Sequence, residues 1–115
     1  MKTFEDLSVW LEAKELFKKI YLSFKSSKDY YFKDQICRAS LSVVNNIAEG
    51  YERQTQKEFR QFLYIAKGSC GEVRSMLKIA EELELIKSKE AAEITDDCLR
   101  LSKMLASFIK AISTQ

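Results

Sequence analysis

Proline is absent from the 115 residues, and glycine occurs only at positions 50, 68 and 71. A β fold of short strands relies on both residue types as turn punctuation, so their scarcity points to a chain of helices. The apolar residues agree, recurring at intervals of three and four, the period of an amphipathic helix. With 46% hydrophobic and 31% charged residues, a chain of this length is expected to fold as one soluble domain over residues 1–115 around a single modest core.

Four such stretches are predicted. The first runs from about Glu5 to Lys25 and turns Trp10, Ala13, Phe17, Ile20, Tyr21 and Phe24 inward. Leu7, Leu11 and Leu22 fall on an adjoining face, where a subunit contact would use them. "SSKD", Ser26 to Asp29, breaks this helix, and a second begins near Tyr30 with Phe32, Ile36, Ser40, Val43, Ile47 and Tyr51 toward the core. The third opens at Thr55, where "TQKE" reads as a reciprocal capping box between Thr55 and Glu58. Its core stripe is Phe59, Phe62, Leu63, Ala66, Cys70, Val73, Leu77 and Ala80. Ser88 is the expected N-cap of the fourth, which carries Ile94, Cys98, Leu101, Leu105, Phe108 and Ile112 to about its end. Short connections make successive helices antiparallel, so the predicted fold is all-α, an up-down-up-down antiparallel four-helix bundle.

The stretch "SVVNNIAEGYERQTQKEF", Ser42 to Phe59, places Asn and Gly where a helix interior normally avoids them. The cap at Thr55 puts the helix break after Arg53, so Gly50 lies inside the last turns rather than at the break. Gln35, Arg38, Ser42, Asn46, Glu49 and Arg53 then form one polar strip. Two readings stand open: a solvated face with a Glu49–Arg53 pair, or a surface meeting another subunit with Gly50 allowing close approach.

On the third helix, Lys57, Arg60, Tyr64, Lys67, Gly71, Arg74 and Lys78 form a basic strip with one aromatic. Spaced cations suit phosphates and an aromatic suits a base, although basic helix faces also serve as plain solvated surface. Beside the strip run Gln61, Ile65, Gly68, Glu72, Ser75 and Ile79. Gly68, Ser69 and Gly71 lower helix propensity, and close packing of another backbone is the expected compensation. "GSCG" is no phosphate loop, since no strand precedes it and no GK[ST] follows. Glu72 and the acidic "EELE", Glu81 to Glu84, are expected to blunt the basic field.

Histidine is absent, which removes the commonest metal ligand and general base. Cys37, Cys70 and Cys98 are odd in number and lack a CxxC spacing, so they read as small buried hydrophobes. Glu49, Glu58 and Glu72 could supply acid or base chemistry, but no nucleophile accompanies them and the Glu-x-x-His pairs of di-metal bundles cannot form. No catalytic residue, metal site or cofactor is expected. The N-terminus lacks an apolar signal region and no run is long enough to cross a bilayer, so a cytoplasmic protein without membrane contact is expected. A net charge of +2 is too mild to imply nucleic acid by itself; only its distribution can.

"FEDLSVWLEAKEL" (Phe4 to Leu16), "QICRASLSVVNNIAEGYER" (Gln35 to Arg53) and "KEFRQFLYIAKGSCGEV" (Lys57 to Val73) together resemble the bacterial four-helix-bundle proteins named after 23S ribosomal RNA intervening sequences. The resemblance covers the first three helices; the proline that often opens helix two in that family is missing here. By resemblance, Arg38, Ser42, Asn46, Glu49, Gly50 and Arg53 match the motif on helix two, and Gly68, Ser69 and Glu72 match it on helix three, as a structural and assembly signature. The family is similar in fold to the accessory proteins of diversity-generating retroelements, barrel-like homopentamers that bind nucleic acid and a reverse transcriptase. The resemblance thus implies a homo-oligomer, a pentamer by that analogy, with RNA or DNA, or a partner enzyme such as a reverse transcriptase, as what it meets. The competing expectation is a protein-binding scaffold without nucleic-acid contact.

Overall fold

The structure, a computed structural model, describes residues 3–113. A short 3₁₀ turn, Phe4–Asp6, leads into α1 (Ser8–Phe24), α2 (Tyr30–Tyr51), α3 (Gln56–Glu82) and α4 (Ser88–Ser113), and no strand occurs among the described residues. Each helix packs on its sequence neighbour and α4 closes back on α1, while the backbones of neither diagonal pair approach within 8 Å, Cα to Cα. The result is the predicted up-down-up-down four-helix bundle, a rod of 45 × 20 × 19 Å.

Local chemistry sets the breaks. Asp29 caps α2 by accepting from the Phe32 amide at 3.0 Å, and Ser27 Oγ accepts the Asp29 amide at 3.2 Å. Thr55 caps α3, its hydroxyl accepting from the Glu58 amide at 3.1 Å. The expected return bond, from the Thr55 amide to Glu58, gives way to another arrangement. The Glu58 carboxylate instead takes the Thr55 hydroxyl at 3.4 Å and the Arg53 guanidinium at 3.1 Å. The α3–α4 connection has no glycine, yet Glu84 adopts a φ of 59°. With the Glu84 amide donating to Glu81 O at 3.0 Å and the Leu85 amide to Ala80 O at 2.8 Å, this is a Schellman termination. Ser88 is the first residue of α4 and not its cap, because the Lys87 carbonyl accepts the first helical bond, from Ala91.

The core joins all four helices, with Ile20, Phe24, Ile36, Ile47, Leu63, Leu77, Leu101 and Leu105 at 2% exposure or less. On α1 the inward face is Val9, Ala13, Leu16, Ile20 and Phe24. Trp10 and Phe17 sit at the rim and Tyr21 is exposed, while Leu7, expected off the core, is buried. Apart from Phe24, the enclosed interior of this narrow bundle holds medium side chains, and Trp10 and Phe17 fill its edges instead. The same exchange occurs on α4, where Ile109 is buried and Phe108 is partly covered. Phe32, Tyr51 and Phe59 likewise pack against the core without being fully enclosed. Leu11 and Leu22 are exposed as expected.

Candidate nucleic-acid interface and the α2–α3 seam

The polar strip of α2 faces α3 of its own chain. The Arg38 guanidinium donates to Glu72 at 2.8 Å and, through Nε, to Gln35 at 3.3 Å. One turn on, the Ser42 and Ser69 hydroxyls lie 3.2 Å apart, and Asn46 Nδ2 donates to both the Ser42 carbonyl (2.8 Å) and hydroxyl (2.9 Å). Arg53 closes the row on Glu58, with its guanidinium over the Phe62 ring at 5.0 Å, so the expected Glu49–Arg53 pair is replaced by a contact across the connection. Glu49 itself is exposed. Asparagine and serine are poor helix formers, but here their side chains satisfy one another between two helices that approach closely.

Gly50 marks a close approach of the two helices. A Cβ there would lie 2.7 Å from Phe62 Cβ, 3.0 Å from Phe59 Cδ1 and 3.3 Å from the Phe59 carbonyl oxygen. The close approach expected of this glycine is therefore made within the chain. Gly68 and Gly71 differ, since nothing lies within 4 Å of a Cβ placed at either. The backbone packing expected against them does not occur inside the monomer.

The basic strip of α3 lies on the side turned toward α4, away from that seam. Lys57, Arg74 and Lys78 are exposed, Arg60 and Lys67 are half-buried, and Tyr64 is 59% exposed. Glu72 does not blunt the strip, because its carboxylate is engaged by Arg38 on the opposite flank. Lys57, Arg60, Lys67 and Arg74 form no ion pair among the described residues, whereas Lys78 has Glu81 at 3.8 Å. The other arginines are all held by carboxylates: Arg38 by Glu72, Arg53 by Glu58, and Arg100 by Glu12 and Asp97.

Helix α4 divides this side into two grooves. Toward the α2–α3 end, a groove of about 300 Å³ is lined by Tyr64, Lys67, Ala106, Ile109, Lys110 and Ser113, with no carboxylate among the described residues of its wall. Toward the other end, a groove of about 530 Å³ takes Arg74 and Lys78 together with Glu81 and Asp96. Lys110 and Asp96 carry no signal in the sequence that ties them to the strip; only the register of α4 on α3 does so.

The cysteines take no part. Cys70 and Cys98 are buried, and burial pushes their thiols up to about 11 and about 12, so both stay protonated near neutrality. Cys37, expected to be buried, is half-exposed, with a thiol raised mainly by burial. No group of three or more Cys, Asp or Glu side chains able to hold a metal occurs among the described residues, and no helix there is long and apolar enough to cross a membrane.

The family described as 23S rRNA-intervening sequence protein matches residues 5–107. A crystal structure of a protein of unknown function from the S23 ribosomal protein family of Bacteroides thetaiotaomicron superposes with a TM-score of 0.84 at 26% sequence identity, covering 89% of this chain and 98% of that one. No curated protein matches the chain.

Proposed function

The chain belongs to the 23S rRNA-intervening sequence protein family, and from that premise we propose that it is a non-catalytic, oligomeric module that binds RNA or other nucleic acid through the basic side of α3. One observation carries the reading. Among the described residues, the only arginines without a carboxylate partner, Arg60 and Arg74, stand in one strip with Lys57 and Lys67, which form no ion pair there, around an exposed Tyr64. Cations kept free of internal partners on one face are available to phosphates.

The assembly is a homo-oligomer, a pentamer by the family analogy, which repeats the strip around an axis and multiplies a modest net charge. Bare Gly68 and the exposed Ile65 and Ile79 on the same face support a subunit contact on the outer side of α3. Light scattering after size exclusion is expected to give several times 13.4 kDa; a monomer at micromolar concentration would overturn the assembly.

Fluorescence anisotropy with labelled RNA at several salt concentrations tests the binding itself. Affinity is expected to fall steeply with salt, with a log–log slope of about −3 if four phosphates on a single strand are neutralised. Replacing Arg60, Lys67 and Arg74 together by Gln is expected to flatten that slope without changing helicity or oligomer mass. Absence of RNA and DNA binding at low salt would overturn this reading. Salt-insensitive capture of a protein partner would then favour the scaffold, for which the mixed charges of Arg74, Lys78, Glu81 and Asp96 are suited.

A further inference from the structure

We infer that the groove between the N-terminal half of α3 and the C-terminal half of α4 is a seat for one unpaired base, with Tyr64 as the stacking surface and Lys67 and Lys110 as the phosphate contacts on its two sides. The inference rests on the nucleic-acid reading above and narrows it to single strands at one end of the strip.

Three features of the groove point this way. Its floor, Ala106 and Ile109, is apolar, and Ile109 is 4% exposed, so a flat base can settle on it without stranding a buried polar group. The Ser113 hydroxyl in the wall already donates to the Ile109 carbonyl at 2.8 Å, which leaves little directional hydrogen bonding to read base identity. Stacking tolerates any base, since every base has a π-face. The cations come from two different helices, Lys67 from α3 and Lys110 from α4, and neither forms an ion pair among the described residues. A phosphate on either side of the ring thus meets a free ammonium.

The contrast with the other half of the same side gives the polarity of the site. Beyond Gly71 the wall acquires Glu81 and Asp96, and a phosphate there would face carboxylates as well as Arg74 and Lys78. In the opposite direction lie Arg60 and Lys57, neither in an ion pair among the described residues, and the rod from Lys67 to Lys57 is about 15 Å long. The strand therefore runs from the Tyr64 groove toward the α2–α3 end. A duplex keeps its bases stacked on one another, so it can meet the cations but cannot offer a face to Tyr64.

The test compares a fluorescein-labelled eight-nucleotide poly-U strand with a duplex RNA of equal length, using the full chain at low salt. Tyr64→Ala is expected to weaken the single strand about tenfold or more and leave the duplex within about twofold, while Tyr64→Phe binds as wild type. Lys110→Gln is expected to weaken the single strand several-fold, and Lys89→Gln, at the opposite end of α4 and outside the strip, is expected to leave it unchanged. These side chains are exposed, so circular dichroism is expected to be the same for all variants. If Arg60→Gln weakens binding but Tyr64→Ala and Lys110→Gln do not, the groove is overturned and the basic strip stands. Equal losses for strand and duplex on Tyr64→Ala overturn the stacking role. Wild type binding neither probe overturns the groove together with the reading it rests on.

Discussion

Gly50 of α2 faces Phe62 of α3 so closely that a Cβ on the glycine would stand 2.7 Å from Phe62 Cβ. The atom it would strike is attached to the α3 backbone and cannot swing aside. Gly50→Ala gains about 1 kcal/mol of helix propensity but forces the two helices apart, an overpacking cost of about 1–3 kcal/mol. The variant is expected to be less stable in urea denaturation, and equal or greater stability would show that the seam can relax.

Gly68→Ala is expected to do the opposite in a dissociated chain. Nothing lies within 4 Å of the added methyl, so the helix-propensity gain of about 0.5–1 kcal/mol stands alone. The proposed subunit contact adds a second readout. Gly68→Leu is expected to lower the oligomer mass in light scattering while far-ultraviolet circular dichroism stays helical.

Glu84 holds a left-handed conformation at the end of α3, where a side chain is strained by about 1–2 kcal/mol relative to glycine. Part of that is returned by the greater unfolded-state freedom of glycine. Glu84→Gly is therefore expected to stabilise the chain by about 0.5–1 kcal/mol, read as a higher urea midpoint at unchanged slope. Glu84→Val is expected to lower it.

The raised thiols of Cys70 and Cys98 fix the sign of a pH dependence. In the unfolded chain each ionises near 9.0, whereas in the fold they hold their protons to about 11 and about 12. Below pH 9 both states carry the proton and the thiols contribute no slope. Above it the unfolded state binds fewer protons, so their contribution lowers stability as pH rises toward 11. A Cys70→Ala, Cys98→Ala double variant is expected to show a shallower loss over that window. At pH 8 a disulfide reagent is expected to titrate Cys37 in the native protein and all three thiols only in denaturant.

Asp97 links α1 to α4 by accepting Lys19 at 2.7 Å and Arg100 at 3.1 Å, with its side chain 15% exposed. Glu12 shares Arg100 at 3.2 Å but is 40% exposed. Exposed pairs contribute about 0–1 kcal/mol. Asp97→Ala is thus expected to destabilise more than Glu12→Ala, and high salt is expected to narrow the difference.

The fold was legible because helical periodicity, the "SSKD" break and the Thr55 cap are local signals. The rotation of α1 was not. Apolar residues cover more than half its circumference, and periodicity alone cannot say that Val9 and Leu16 outrank Trp10 and Tyr21 for a narrow interior. The basic strip could be read from spacing, because its members share one helix. Its division into two grooves could not, since Lys110 and Asp96 come from α4 and depend on a register set by packing. Gly50 stood out as an oddity, but only the position of Phe59 and Phe62 shows what it accommodates.

The two seams of the bundle also differ in when they can form. Ser42 meets Ser69 across 27 residues of chain, whereas Arg100 meets Glu12 across 88. Closing the longer loop costs about 1 kcal/mol more in chain entropy, and contacts near in sequence are made sooner. The α2–α3 hairpin, with Gly50 against Phe62 near its turn, is therefore expected to form before the α1–α4 seam. Run backwards, the same order opens the α1–α4 seam first, so amides along that seam are expected to exchange with solvent ahead of those facing the hairpin.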